Sequence, residues 1–313
     1  MKEHKKPIFI YFNSWGGSFE QSIYLSKPLE KVSTDFYHFT IQLTSIGGFD
    51  GNQIPIDKPV TSIDFRDSVI KQTLKMLKQI VEFLNMIFVK HKKRDVVFIS
   101  HSFGYTLLYT SLYKSLWRNE IHRIKKIILL DPAGQANTSQ SLFKDLEIYG
   151  NFIKEFQKFN NSINISSDVY LKWKKFIQNS TKDLYTSEEK LTGMYQYIRD
   201  CFYNSPLTLC VFAYGVDFWD LDNIIKKYSS KSIILTSTNG IAINYIDYWN
   251  SLGINKIKVI SDAGHFLHIF SQKKTIYAIL KILHIHIYTY DIFGLSYNYP
   301  LMSKSPLYIE LNK

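Results

Sequence analysis

The sequence predicts an α/β fold: a mostly parallel, twisted sheet with helices on both faces, interrupted once by a helical insertion. Three observations carry this. Short, almost wholly apolar runs recur along the chain: Pro7-Ile8-Phe9-Ile10-Tyr11-Phe12, Asp95-Val96-Val97-Phe98-Ile99, Lys126-Ile127-Ile128-Leu129-Leu130, Ser232-Ile233-Ile234-Leu235-Thr236 and Lys256-Ile257-Lys258-Val259-Ile260. Strands that are apolar on both sides suit a parallel sheet covered by helices. Between them lie segments of helical period, clearest over residues 64–91, where Val69, Leu74, Leu77, Ile80, Val81, Leu84 and Ile87 mark one stripe. The strand–helix rhythm then stops near residue 136 and resumes near 230.

Taken in order, the first strand leads into Asn13-Ser14-Trp15-Gly16-Gly17-Ser18 and a short helix near residues 18–31. A second strand is expected over Phe36 to Leu43, followed by the turn-rich Ser45-Ile46-Gly47-Gly48-Phe49-Asp50-Gly51. The long amphipathic helix, the strand at 95–99, a helix to about Trp117 and the strand at 126–130 follow. Residues 136–229 read as aromatic-rich helices, with Phe143, Tyr149, Phe152, Phe156, Phe159, Tyr170, Trp173 and Phe176. After the strand at 232–236 come a helix around Tyr245 to Leu252, the strand ending at Ile260 and a helix near Gln272 to Leu283. From Ile285 onward no period is visible, and a surface-packed tail is expected. The predicted organisation is a core of residues 1–135 and 230–313 with an insertion at 136–229.

Composition sets bounds on function. The 313 residues, 45% of them apolar, suffice for one large α/β domain with an insertion. The formal charge is +11, but Lys is interspersed with Asp and Glu, and a run such as His91-Lys92-Lys93-Arg94 is short. That pattern fits a solvated surface rather than the contiguous basic face a nucleic-acid binder needs, and leaves room for peripheral contact with an anionic membrane. Cys201 and Cys210 have neither metal-ligand nor redox spacing and read as reduced core residues. Met1-Lys2-Glu3-His4-Lys5-Lys6 runs directly into a strand, and no apolar run reaches the roughly 18 residues that span a bilayer. A cytoplasmic protein is the expectation.

Chemistry concentrates in Ser100-His101-Ser102-Phe103-Gly104, between an apolar strand and a segment of helical spacing. A small-x-Ser-x-Gly pentapeptide in that context is a nucleophile elbow: the turn is tight, its outer positions must be small, and the central hydroxyl stands clear. Ser100 takes the place of the more usual Gly. With Asn13-Ser14-Trp15-Gly16-Gly17 after the first strand and Ser261-Asp262-Ala263-Gly264-His265-Phe266 after the strand at 256–260, the chain resembles the α/β-hydrolase superfamily over about residues 7–285.

The resemblance implies a set of roles. Ser102 would be the nucleophile and His265 its base, since a serine hydroxyl needs an adjacent base at neutral pH. His101, expected to point away from Ser102, and His268, expected at the surface one helical turn beyond His265, are the competing histidines. The backbone N–H groups of Trp15 and Phe103 would form the oxyanion hole. In the family the acid usually follows the penultimate strand, where this chain has Asn239 and Gly240. Asp131, in Leu130-Asp131-Pro132-Ala133-Gly134, instead resembles the Leu-Asp-Pro-Ala segment of the pancreatic-lipase group. Asn239 and the later Asp247 remain alternatives. The insertion would be a cap over the site. The implied function is cleavage of a carboxylic ester, apolar or lipid-like, by a Ser102–His265–Asp131 triad without metal or organic cofactor. The rival is an impaired member serving as a binding or scaffold module, favoured by Asn13-Ser14, Asn239 and Tyr105. Oligomeric state is not legible from the sequence.

Overall fold

The computed structural model describes residues 6–14, 17, 19–30, 32, 35–39, 54–133, 146–160, 167–181, 206–216, 220–285 and 308–310. Its strands are β1 (Ile8–Phe12), β2 (Phe36–Phe39), β3 (Val96–His101), β4 (Ile124–Leu130), β5 (Ser232–Ser237), β6 (Ile257–Ile260) and β7 (Tyr308–Glu310). They form one sheet in the order β2-β1-β3-β4-β5-β6-β7. The first six run parallel, and β7 pairs antiparallel with β6.

The apolar runs behave as strands covered on both faces. β1, β3 and β5 are buried at every position. Because side chains alternate across a strand, Ile8, Ile10, Phe12, Val96, Phe98, Ile127 and Leu129 enter one hydrophobic cluster. Phe9, Tyr11, Val97, Ile99, Ile128 and Leu130 enter the other, on the opposite face. Helix α1 (Phe19–Glu30) contributes Leu25 and Leu29 to the second cluster. Helices α2 (Ile63–Lys90) and α3 (Gly104–Lys114) line the first. Helix α2 starts where Ser62 caps it, its hydroxyl accepting from the Phe65 N–H at 3.3 Å, which satisfies one of the free donors of the first turn.

Four helices between residues 136 and 229 are described: α4 (Leu146–Asn160), α5 (Ser167–Thr181), α6 (Pro206–Val216) and α7 (Leu221–Tyr228). Helices α4 and α6 dock on α2 and on the segment just before it, and α5 packs on α4. Tyr214 donates its hydroxyl to the Val60 carbonyl at 2.6 Å, Thr73 to the Val211 carbonyl at 3.2 Å, and Gln157 its amide to the Ile54 carbonyl at 3.1 Å. Gly150 lies against Val60 and Gly215 against Thr73, where a Cβ would collide with the facing side chain. Phe152, Phe156, Trp173 and Phe176 pack ring to ring between α4 and α5. Beyond residue 229 lie α8 (Ile246–Ser251), α9 (Leu267–Phe270) and α10 (Gln272–Ile282).

Two details differ from the sequence reading. The aperiodic tail supplies β7, a three-residue strand too short to show a period. Strand β2 is described only as Phe36–Phe39, and the rest of its expected span lies outside the described residues. Among the described residues no helix is long and apolar enough to cross a membrane.

Strand order already indicates where a ligand belongs. The chain passes from β1 outward to β2, then returns to the other side of β1 for β3. At such a reversal the loops leaving the two central strands diverge, and a crevice opens at their carboxyl ends. Asn13 leaves β1 and Ser102 leaves β3 at that point.

Candidate active site

Four non-glycine residues among those described have positive φ: Ser102 (51°), Asp131 (41°), Asp262 (55°) and His284 (54°). The first three follow the carboxyl ends of β3, β4 and β6. Left-handed backbone at a non-glycine residue costs energy and tends to collect where function demands it. At Ser102 the tight turn is closed by the Ser102 N–H donating to the Leu130 carbonyl at 3.0 Å. Gly104 meets the turn's demand for a small residue: a Cβ there would lie within 2.6 Å of the Phe12 carbonyl oxygen and closer still to that of Asn13. The elbow therefore presses directly on the loop leaving β1. Ser100 fits at the other outer position, with its hydroxyl buried and without a hydrogen-bond partner among the described residues.

Asp131 is fully buried and its carboxylate is saturated. Oδ1 accepts from Thr236 Oγ1 at 2.5 Å and from the Ala242 N–H at 2.9 Å. Oδ2 accepts from the Ile241 N–H at 2.8 Å and from His265 Nδ1 at 2.5 Å. A carboxylate only accepts, so in the neutral ring Nδ1 carries the proton and Nε2 keeps its lone pair. That is the tautomer a general base requires. Gly240 permits the approach, because a Cβ there would run into the carboxylate and the Thr236 hydroxyl. Asn239 and Asp247 are exposed. The loop after β5, where the family usually carries its acid, instead points backbone donors at an acid borne by β4.

The structure brings Ser102, Asp131 and His265 to one edge of the sheet, with Ser102 8% and His265 1% exposed. The Phe103 N–H lies at the start of α3, where the helix dipole favours negative charge. Trp15 lies outside the described residues. From the insertion, Phe212 on α6 meets the Phe103 ring edge-on at 5.6 Å, one residue from Ser102.

His268 is not the surface residue the sequence suggested: it is fully buried, beneath the loop of His265. Its ring lies 4.5 Å from that of His101, and its Nε2 lies 3.4 Å from the Tyr11 hydroxyl. Burial, and then the neighbouring His265, push its pKa down to about 3. His101 is held well below its ordinary value by the same burial and by His268 and His265. Burial also raises the Tyr11 phenol. Sequence reasoning also missed Thr236, whose only sign was a hydroxyl at the carboxyl end of an apolar run. Among the described residues no group of three or more His, Cys, Asp or Glu is arranged to hold a metal ion.

No protein-family model and no curated protein sequence matches the chain. Many solved structures do. MenH from S. aureus aligns with a TM-score of 0.55 at 14% identity, over 90% of this chain and 95% of that one. An esterase from Exiguobacterium antarcticum aligns at 0.56 and 10% identity, over 90% and 93%. An enol-lactonase from Burkholderia xenovorans aligns at 0.55 and 11% identity, over 91% and 94%. Six parallel strands in this order, helices on both faces and likeness along nine-tenths of the chain establish that the protein has the α/β-hydrolase fold.

Proposed function

We propose that the protein is a serine hydrolase that cleaves a carboxylic ester through an acyl-enzyme. The observation that supports this most is the Asp131–His265 hydrogen bond, which sets the tautomer a base needs, while Ser102 stands in a left-handed elbow at the carboxyl end of β3. Ser102 Oγ attacks the ester carbonyl while its proton passes to His265 Nε2. Asp131 holds Nδ1–H and stabilises the imidazolium. The Phe103 and Trp15 N–H groups receive the oxyanion. His265 then protonates the leaving alkoxide, and the alcohol departs. Water, deprotonated by the same nitrogen, attacks the acyl-serine, releasing the acid and restoring Ser102. The chain's own residues carry every step, so no cofactor is invoked.

In this reading residues 136–229 form a cap whose α6 supplies an apolar wall at Phe212, and the substrate is a small molecule with an apolar acyl group. Time-dependent labelling by a fluorophosphonate tests the proposal, because only an activated serine reacts. Labelling should occur at Ser102 and vanish in Ser102→Ala. A folded wild-type protein that resists the probe would instead support the scaffold reading.

A further inference from the structure

The reaction outlined above uses neither His101 nor His268, yet both are fully buried, His101 against the base and His268 against His101. The ring of His101 lies 4.6 Å from that of His265. Hydrogen-bond partners set the tautomers of both residues. The His265 carbonyl can only accept, so His101 Nε2 carries a proton and donates it over 3.0 Å. The Tyr11 hydroxyl donates to Asn13 Oδ1 at 3.1 Å, an atom that also accepts from the Ser14 N–H. With the phenol proton committed, His268 Nε2 donates to the Tyr11 oxygen. The preceding carbonyl of the base loop, Gly264, accepts from Ser237 Oγ at 2.9 Å. Two successive carbonyls are thus held by side chains from the ends of two different strands, β3 and β5. The depressed pKa of His101 keeps its ring neutral near neutral pH.

We infer that His101 is a positioning residue for His265: with Ser237 it clamps the Gly264-His265 segment and so aims His265 Nε2 at Ser102, while His268 and Tyr11 back the His101 ring. This rests on the triad reading above. The requirement is geometric, since a displacement of about 1 Å at a reacting group costs about 100-fold in rate.

The test compares His101→Phe, which fills the space without a donor, His101→Gln, which restores an N–H, and Ser237→Ala. Fluorophosphonate labelling rates and kcat and KM on a p-nitrophenyl ester are measured for each. The His265 Nδ1–H proton resonance is followed in 15N-histidine-labelled protein, a readout that needs no turnover. His101→Phe should lower kcat and labelling about 10- to 100-fold with KM within about twofold, and shift or broaden the resonance. His101→Gln should recover most of both. Should His101→Phe not fold, Ser237→Ala carries the test with the same kcat-selective loss. A folded His101→Phe, or failing that Ser237→Ala, that labels at the wild-type rate with the resonance unmoved overturns the inference. A wild-type protein that resists labelling while its His265 resonance still responds to His101 overturns the hydrolase reading and supports the clamp.

Discussion

Asp131 reaches His265 from one strand earlier than the loop that follows β5. Its four donors come from β5, from the turn after it and from His265. Asp131→Asn keeps the shape but can present an amide N–H to Nδ1, favouring the wrong tautomer. It should lower kcat by about 10⁴, whereas Asn239→Ala, at an exposed position, should leave steady-state kinetics near wild type. Gly240→Ala should lower both Tm and kcat, since its Cβ must displace the carboxylate or the Thr236 hydroxyl; unchanged values of both would refute the close packing. The tight turn at Ser102 after β3 and the place of His265 in the loop after β6 were legible because turn chemistry and local order announce them. The choice among Asp131, Asn239 and Asp247 was not, because it depends on the approach of Gly240 to Asp131 across two strands.

Helix α9 spans four residues, too short for any period to show which side His268 faces. The legible sign was a histidine flanked by Phe266, Leu267, Ile269 and Phe270. The central strands β1, β3 and β5 were readable for the opposite reason: each is a largely apolar run buried at every position, and double-sided burial leaves no alternation to misjudge. Burial of His268 has a pH consequence. Unfolded, its pKa is about 6.5; folded, about 3. Above about pH 6.5 both states are neutral and the group contributes nothing to pH dependence. As the pH falls below that, the unfolded chain takes up the proton first, so stability falls, by about 2 kcal/mol near pH 5 and by about 4 kcal/mol near pH 3, where the folded ring begins to protonate too. His101 acts in the same direction. Denaturant titrations at pH 7 and 5 should show this loss, and His268→Phe should shrink the difference between them.

At the scale of the molecule, the insertion and the body share one hydrophobic cluster, which holds Phe12 and Phe103 together with Tyr149, Trp173 and Phe212. If α6 walls the acyl site, kcat/KM on p-nitrophenyl esters should rise from acetate toward octanoate before levelling. Each methylene buried in the transition state contributes up to about 0.8 kcal/mol, nearly fourfold. Phe212→Ala should flatten that rise more than it lowers activity on acetate; a profile already flat in the wild type would argue for a small or polar acyl site. The exits of three strands are hooked to the next strand along: Ser102 N–H to Leu130, Asp131 N–H to Leu235 and Thr238 N–H to Ile260. Ser102 and Asp131 therefore sit inside the sheet's ladder rather than on loops that open by themselves. In deuterated solvent the amides of Ser102 and Asp131 should exchange as slowly as those of Phe98 and Ile128, through global opening alone. The strand ends that carry Ser102 and Asp131 would then be lost only when the whole sheet is lost, and, on the proposed function, residual activity during denaturation should track the folded fraction without a partly active intermediate.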